Sequence, residues 1–230
     1  MDDSIWVVGG VILLFVLVLV ALKAVAGGTS GGDVSSAVGG GNSTSDVSGA
    51  FRSSVPQRFI VFDLETTGLD PTRHEIIEIG AIRVNRDSDV HDTFQALVKP
   101  MKRIPKKITQ INGISQDMVD HEGEPLEAVL RDFVEFIEDL PLVSFNADFD
   151  MGFLRNAAKQ HDLVICNQVS CALKMARRAW PGRQSYRLCD LAKDGHLSDE
   201  DTHRALGDCK RAAFVYTGAA ATLALRRERL

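Results

Sequence analysis

Phe62-Asp63-Leu64-Glu65-Thr66-Thr67-Gly68 closes an apolar run that begins at Phe59. Side chains alternate along a strand with period 2, so Asp63 and Glu65 would share one face and present two carboxylates together. The Thr-Thr-Gly turn ends the strand and leaves the pair at an open edge, where backbone groups can meet a ligand. Two acids on one face can hold a hard cation. A solvated strand rim has the same pattern, so the reading turns on acids further along the chain.

Outward from this stretch, the spacing of apolar residues predicts strands over 58–65, 76–84 and 93–98, separated by turn residues such as Asp70-Pro71 and Asn85-Arg86-Asp87. Leu126, Val129, Leu130, Phe133, Ile137 and Leu140 then recur at helical spacing behind Pro125, a residue suited to a helix start. A short strand over 141–145, a helix over 148–160 with Phe149, Gly152, Phe153 and Ala157 inward, and a short strand over 163–166 follow. A long helix over 204–227 carries the stripe Leu206, Cys209, Ala213, Tyr216, Ala220 and Leu223. The order β-β-β-α-β-α-β-α predicts an α/β domain over 57–228, a mixed central sheet covered by helices.

Two further acids join the opening pair. Asp150 lies in Asn146-Ala147-Asp148-Phe149-Asp150, inside the first turn of a predicted helix, and Asp208 closes His203-Arg204-Ala205-Leu206-Gly207-Asp208. Five residues of helix turn by about 500°, so His203 and Asp208 do not project from one helical face. His203 is therefore expected in the loop ahead of the helix, free to swing over a site that Asp208 helps to build.

These residues resemble the DEDDh 3′→5′ exonucleases of the RNase H-like fold, whose members include the proofreading epsilon subunit of bacterial DNA polymerase III, RNase T and TREX-type enzymes. Three motifs match in order: Asp63-Leu64-Glu65-Thr66-Thr67-Gly68, Asn146-Ala147-Asp148-Phe149-Asp150, and His203-x-Ala205-x-x-Asp208. Ile76-Ile77-Glu78-Ile79-Gly80-Ala81 and Ile111-Asn112-Gly113-Ile114 also fit, and the resemblance covers about residues 58–225. It departs at Phe145, where many relatives carry His, and at Asn112, where epsilon-like members carry a His that touches the nucleotide.

The resemblance implies hydrolysis of phosphodiester bonds at single-stranded 3′ ends of DNA or RNA, releasing nucleoside 5′-monophosphates. Asp63, Glu65, Asp150 and Asp208 would hold two Mg²⁺ ions, with Mn²⁺ able to substitute. His203 would act as general base, and Thr66, Thr67, Asn112, Asn146 and His203 would meet the substrate. The residue types suit that chemistry: carboxylates are hard oxygen ligands, and a pair of divalent ions can clamp attacking and leaving oxygens. Without cations the four acids would raise one another's pKa. A histidine titrates near pH ~6.5 and can accept a proton from water.

Ile5 to Leu22 is an unbroken 18-residue run of apolar residues and glycine, continuing to Ala26 past Lys23. A signal peptide would begin with positive charge and a core helix would keep a polar face, whereas this chain begins Met1-Asp2-Asp3-Ser4. A transmembrane helix over 5–26 is expected. Lys23, Arg52 and Arg58 follow it and no Lys or Arg precedes it, which puts the remainder on the cytoplasmic side as a single-pass protein. Residues 27–56 hold eight Gly and eight Ser and read as a flexible tether spanning on the order of 30 Å.

The net charge of −5 advertises no general affinity for nucleic acid. Cys166, Cys171, Cys189 and Cys209 lack zinc or disulfide spacing. Two basic runs stand out: Lys99, Lys102, Arg103, Lys106 and Lys107, and then Lys174, Arg177, Arg178, Arg183 and Arg187, interleaved with Trp180 and Tyr186. Both can be solvated surface, and the second also suits a single strand through stacking and phosphate contact. Beside the nuclease stand two other readings, a non-catalytic adaptor that binds nucleic-acid ends at the membrane and a proofreading subunit held by a polymerase. A second copy of the chain is a further candidate partner.

Overall fold

Alternation along β1 (Arg58–Thr66) sends Ile60, Phe62 and Leu64 to one side of the sheet and Phe59 and Val61 to the other, all of them buried. A computed structural model describes residues 55–88, 90–193 and 204–227. In it, β1 pairs antiparallel with β2 (Ile76–Asn85), and β2 with β3 (Asp92–Leu97). On its other side β1 pairs parallel with β4 (Leu142–Ser144), and β4 with β5 (Val169–Cys171), giving the order β3-β2-β1-β4-β5.

Helices cover both faces. Helices α1 (Lys106–Asn112) and α2 (Gln116–His121) follow β3, and α3 (Leu126–Ile137) and α4 (Ala147–Gln160) flank β4. The first core joins Ile60, Phe62 and Leu64 to Phe133 and Ile137 of α3 and to Phe153 and Leu154 of α4. After β5 come α5 (Ala172–Ala179), α6 (Leu188–Lys193) and α7 (Ala205–Arg227). They pack on the second core around Phe59, Val61 and Val143. Each fully buried Phe or Ile contributes on the order of 2 kcal/mol, so packing on both faces holds β1 at the centre of the sheet, between β2 and β4.

The expected mixed α/β sheet flanked by helices is present, with three differences. The strand expected over 163–166 is a loop, and the fifth strand lies at Val169–Cys171, in register with Leu142 through Ser144. Leu163 and Ile165 alternate because they pack on the first core while Val164 is exposed, so that period 2 comes from helix packing without a ladder partner. Four helices, α1, α2, α5 and α6, are additional; none exceeds eight residues, too short for apolar periodicity to reveal. On α4 the buried stripe includes Met151 and Leu154 in place of Gly152.

Trp180 and Tyr186 are also placed differently from a stacking platform. Both pack against the second core, Trp180 on Gly218 of α7, and the Tyr186 hydroxyl donates to the Trp180 carbonyl at 2.5 Å. The segment expected to cross a membrane, 5–26, the tether as far as residue 54, and His203 lie outside the described residues. Among the described residues no helix is long and apolar enough to cross a membrane.

Candidate active site

Asp63 and Glu65 stand on the second face of β1, continuing the row of Phe59 and Val61 to the carboxyl end of the strand. Cross-strand register sets Gly80 beside Asp63 and Glu78 beside Glu65, so the four positions form one two-strand platform. Pairing shifts register between Glu65 and Thr66, an irregularity that re-aims the chain at the strand end. Helix α7 starts directly over Gly80. A Cβ there would come within 2.7 Å of the Ala205 backbone carbon and the Leu206 nitrogen, so only glycine admits this approach.

The approach brings the third acid in. Carboxylate oxygens of Asp63, Glu65 and Asp208 all lie within 4.8 Å of one another. Asp208 belongs to the first turn of α7, is buried, and accepts from Arg211 Nε at 3.0 Å. Asp150 is outside that trio but adjoins it. It sits in the first turn of α4, accepts from the Ser144 hydroxyl of β4 and from the backbone N–H of Leu64, and its charge acts on Asp63.

Desolvation dominates the electrostatics. Burial first, then the charges of Asp150, Asp208 and Glu65, hold the Asp63 carboxyl well above the usual range. Burial raises Glu65 to about 8, opposed by its hydrogen bond from Asn112 and reinforced by Asp208. Burial raises Asp150 to about 7, opposed by the Ser144 hydroxyl and the Leu64 N–H. Mutual repulsion was the cause expected from the sequence; it contributes, but loss of water contributes more. A divalent cation would remove the cost for all of them, and an all-oxygen donor set suits a hard ion.

Glu78 is the residue that sequence reasoning left without a role. It is wholly buried, yet both oxygens are occupied: Oε1 accepts from Arg204 Nη2 at 2.6 Å and Gln95 Nε2 at 2.9 Å, and Oε2 from the Ala205 N–H at 3.0 Å. Glu78 therefore caps the start of α7 from another strand, and its saturation separates it from the ligand-like acids beside it. The signal was a charged residue inside the otherwise apolar run Ile76 to Ala81. No local rule pairs it with a residue 126 positions away.

The remaining site residues are placed as follows. Asn112 is buried, donates to Glu65 Oε2 at 3.1 Å and accepts from the Ile114 N–H at 3.0 Å, so its amide is spent on orienting Glu65 and the turn after α1. The Thr66 hydroxyl donates to the Gly68 carbonyl at 2.7 Å, and the Thr67 hydroxyl accepts from the Glu75 N–H at 2.9 Å; both threonines brace the loop that follows β1. His74 packs on that loop, where a Cβ at Gly68 would fall 2.5 Å from its ring. Asn146 is exposed at the head of α4.

This fold and this acid-lined strand end define a nuclease-like α/β domain, and comparison with known proteins specifies it further. The chain belongs to the exonuclease family, whose model matches residues 60–216. It is 34% identical over 160 residues to the DNA polymerase III epsilon subunit of Aquifex aeolicus, covering 69% of this chain and 78% of that one. It is 36% identical over 170 residues to the PolC-type DNA polymerase III of Caldanaerobacter subterraneus, covering 74% of this chain but 12% of the polymerase. A putative bifunctional exonuclease/endonuclease of Mycobacterium tuberculosis is 39% identical over 166 residues, covering 68% of this chain and 25% of that protein. Among solved structures, E. coli exonuclease I in complex with a dT13 oligonucleotide shares the fold with a TM-score of 0.62 at 21% identity, over 76% of this chain and 42% of that one.

Proposed function

We propose that this chain is a divalent-metal-dependent 3′→5′ exonuclease that removes nucleoside 5′-monophosphates from single-stranded DNA or RNA ends. The observation that carries the reading is the convergence of Asp63, Glu65 and Asp208 within 4.8 Å, with Asp150 alongside, in a member of the exonuclease family. Asp63, Glu65, Asp150 and Asp208 would hold two Mg²⁺ ions, and Mn²⁺ would substitute. When bound, the ions neutralise the charge that builds on the phosphoryl oxygens.

The protein's own groups supply the rest. His203 is the neighbour of Arg204, which Glu78 pins, and its imidazole takes the proton of the attacking water. The new P–O bond forms as the P–O3′ bond breaks, and the departing 3′ oxygen ends as the hydroxyl of the shortened strand. Asn112 keeps Glu65 oriented, and the exposed Asn146 meets the terminal nucleotide. The test is to incubate the protein with 5′-labelled DNA and RNA oligonucleotides, with Mg²⁺ or with chelator. Stepwise shortening from the 3′ end in metal alone is expected; 5′ shortening, or activity in chelator, would defeat the reading.

The 34% match across most of an epsilon subunit favours a second reading, association with a DNA polymerase. Co-purification of a polymerase with the tagged full chain tests it. The apolar run Ile5 to Leu22 and the Gly/Ser composition after it support an anchor over 5–26, a tether over 27–56, and a catalytic domain over 57–228 on the cytoplasmic side. Protease added to intact cells should then spare the domain, and digestion of it would reverse the orientation.

A further inference from the structure

Helices α4 and α5 enclose a groove of about 580 Å³ beside β5. Because β1, β4 and β5 are parallel, their carboxyl ends share one edge of the sheet. Asp63 and Glu65 sit at the end of β1, Asp150 follows β4, and the groove opens where β5 passes into α5. Crevices at carboxyl strand ends are where open α/β sheets bind ligands. The groove lies along that same edge from the acid cluster, and α4 borders both on different faces, with Asp150 in its first turn and Arg155, about 140° round the helix, further along.

Its charge is opposite to that of the whole chain. Among the described residues Arg155, Lys174 and Arg178 line it against one acid, Asp148, in a protein of net charge −5. Lys174 and Arg178 are four apart on α5 and so share a face one turn apart. Arg155 and Arg178 make no ion pair among the described residues. Lys174 pairs with Asp148 at 2.7 Å, but both side chains are well exposed, and such a pair is weak enough to yield to phosphate. Met151, Val169 and Met175 add apolar surface. Among the described residues no aromatic side chain lines the groove, which offers phosphate contact without base stacking.

We propose that this groove carries the sugar-phosphate backbone of the single strand upstream of the scissile bond, with Arg155, Lys174 and Arg178 on successive phosphates. The proposal rests on the exonuclease reading and adds to it a track beyond the cleaved nucleotide. It assigns to Lys174 and Arg178 the nucleic-acid role that the second basic run allowed, and removes Trp180 and Tyr186 from it.

The test uses full-length protein in detergent, wild type against the Arg155→Ala/Arg178→Ala double variant, with Arg131→Ala on α3, outside the groove, as control. Substrates are a dinucleotide and 12-residue oligonucleotides of DNA and of RNA. The ratio of kcat/KM for the 12-mer to that for the dinucleotide should fall at least about tenfold in the double variant through KM, and stay unchanged in Arg131→Ala. The salt dependence of log KM for the 12-mer should shallow by about 1.4, as expected for two lost contacts to a single strand. A drop for DNA alone or RNA alone would name the strand that uses the track.

Anisotropy of a labelled 12-mer in chelator reads the same contacts without hydrolysis. Loss of that binding in the double variant supports the groove even if wild type cleaves nothing, an outcome that would count only against the exonuclease reading. Unchanged 12-mer binding and an unchanged ratio would overturn the proposal. So would unchanged 12-mer binding with weakened adhesion to phosphatidylglycerol vesicles, which would make the groove a membrane contact.

Discussion

Arg204 meets Glu78 as a fork, Nη2 to Oε1 at 2.6 Å and Nε to Oε2 at 3.2 Å, and so fastens the first turn of α7 to the start of β2 beside Glu65. The carboxylate is wholly buried and the guanidinium about one-third exposed. Removing one partner strands the other charge. Arg204→Ala should destabilise the fold by about 3 kcal/mol in urea titration, the low end for a broken buried pair because Arg204 is partly solvated. Arg204→Lys, which keeps the charge but loses the fork, should fall between. Because the Asp208 N–H bonds to the Arg204 carbonyl, Mn²⁺ affinity should weaken in step. Unaltered stability and Mn²⁺ affinity in Arg204→Ala would show that the fork holds nothing.

Asp63→Ala, Glu65→Ala, Asp150→Ala and Asp208→Ala should each lower turnover by orders of magnitude, since on the proposed reading each would take away an oxygen ligand for the two ions. Asp63→Ala should also stabilise the metal-free protein, because the buried Asp63 carboxyl is held above its ordinary range by desolvation and by its neighbours. Near-normal hydrolysis in two of these variants would count against the site.

The same acids set a pH dependence. Folded-state pKa values near 7 for Asp150 and near 8 for Glu65 exceed the ordinary carboxylate value, so between about pH 4 and pH 8 the native chain holds more protons than the unfolded one. Stability must therefore fall as pH rises through that window. Thermal melts in chelator should show a decline in Tm from pH 5 to pH 8.5, and Mg²⁺ or Mn²⁺ added at the upper end should reverse it. A flat profile with no response to metal would contradict the electrostatics described.

His203→Ala should retain Mn²⁺ binding and lose about 10² to 10⁴ in rate, the usual contribution of a positioned general base. In the parent, rate should rise with pH through the titration of the histidine. If Mn²⁺ binding disappears with the imidazole, His203 is a ligand instead.

Asn112→Ala takes away the donor that lowers the Glu65 pKa and leaves the buried Ile114 N–H without its acceptor. A cost of about 1–3 kcal/mol is expected for the orphaned N–H. Metal binding should shift to higher pH, as Glu65 releases its proton later. Isothermal titration with Mn²⁺ at several pH values measures the shift, and an unmoved profile would dissociate Asn112 from Glu65.

By itself the sequence determined the order of long elements, the mixed α/β class and the same-face pairing of Asp63 with Glu65. These are local properties: period 2 in β1, helical period in α3, α4 and α7, and motifs whose residues lie within a few positions of one another. Tertiary structure alone decided that Glu78 is consumed by Arg204 while Glu65 beside it is held by Asn112, because both bonds join segments far apart in the chain. It alone moved the fifth strand to Val169–Cys171, since a three-residue strand is defined by its ladder partner rather than its own pattern. It alone turned Trp180 and Tyr186 inward and opened a basic groove between two helices, because burial depends on what the rest of the fold sets against a side chain.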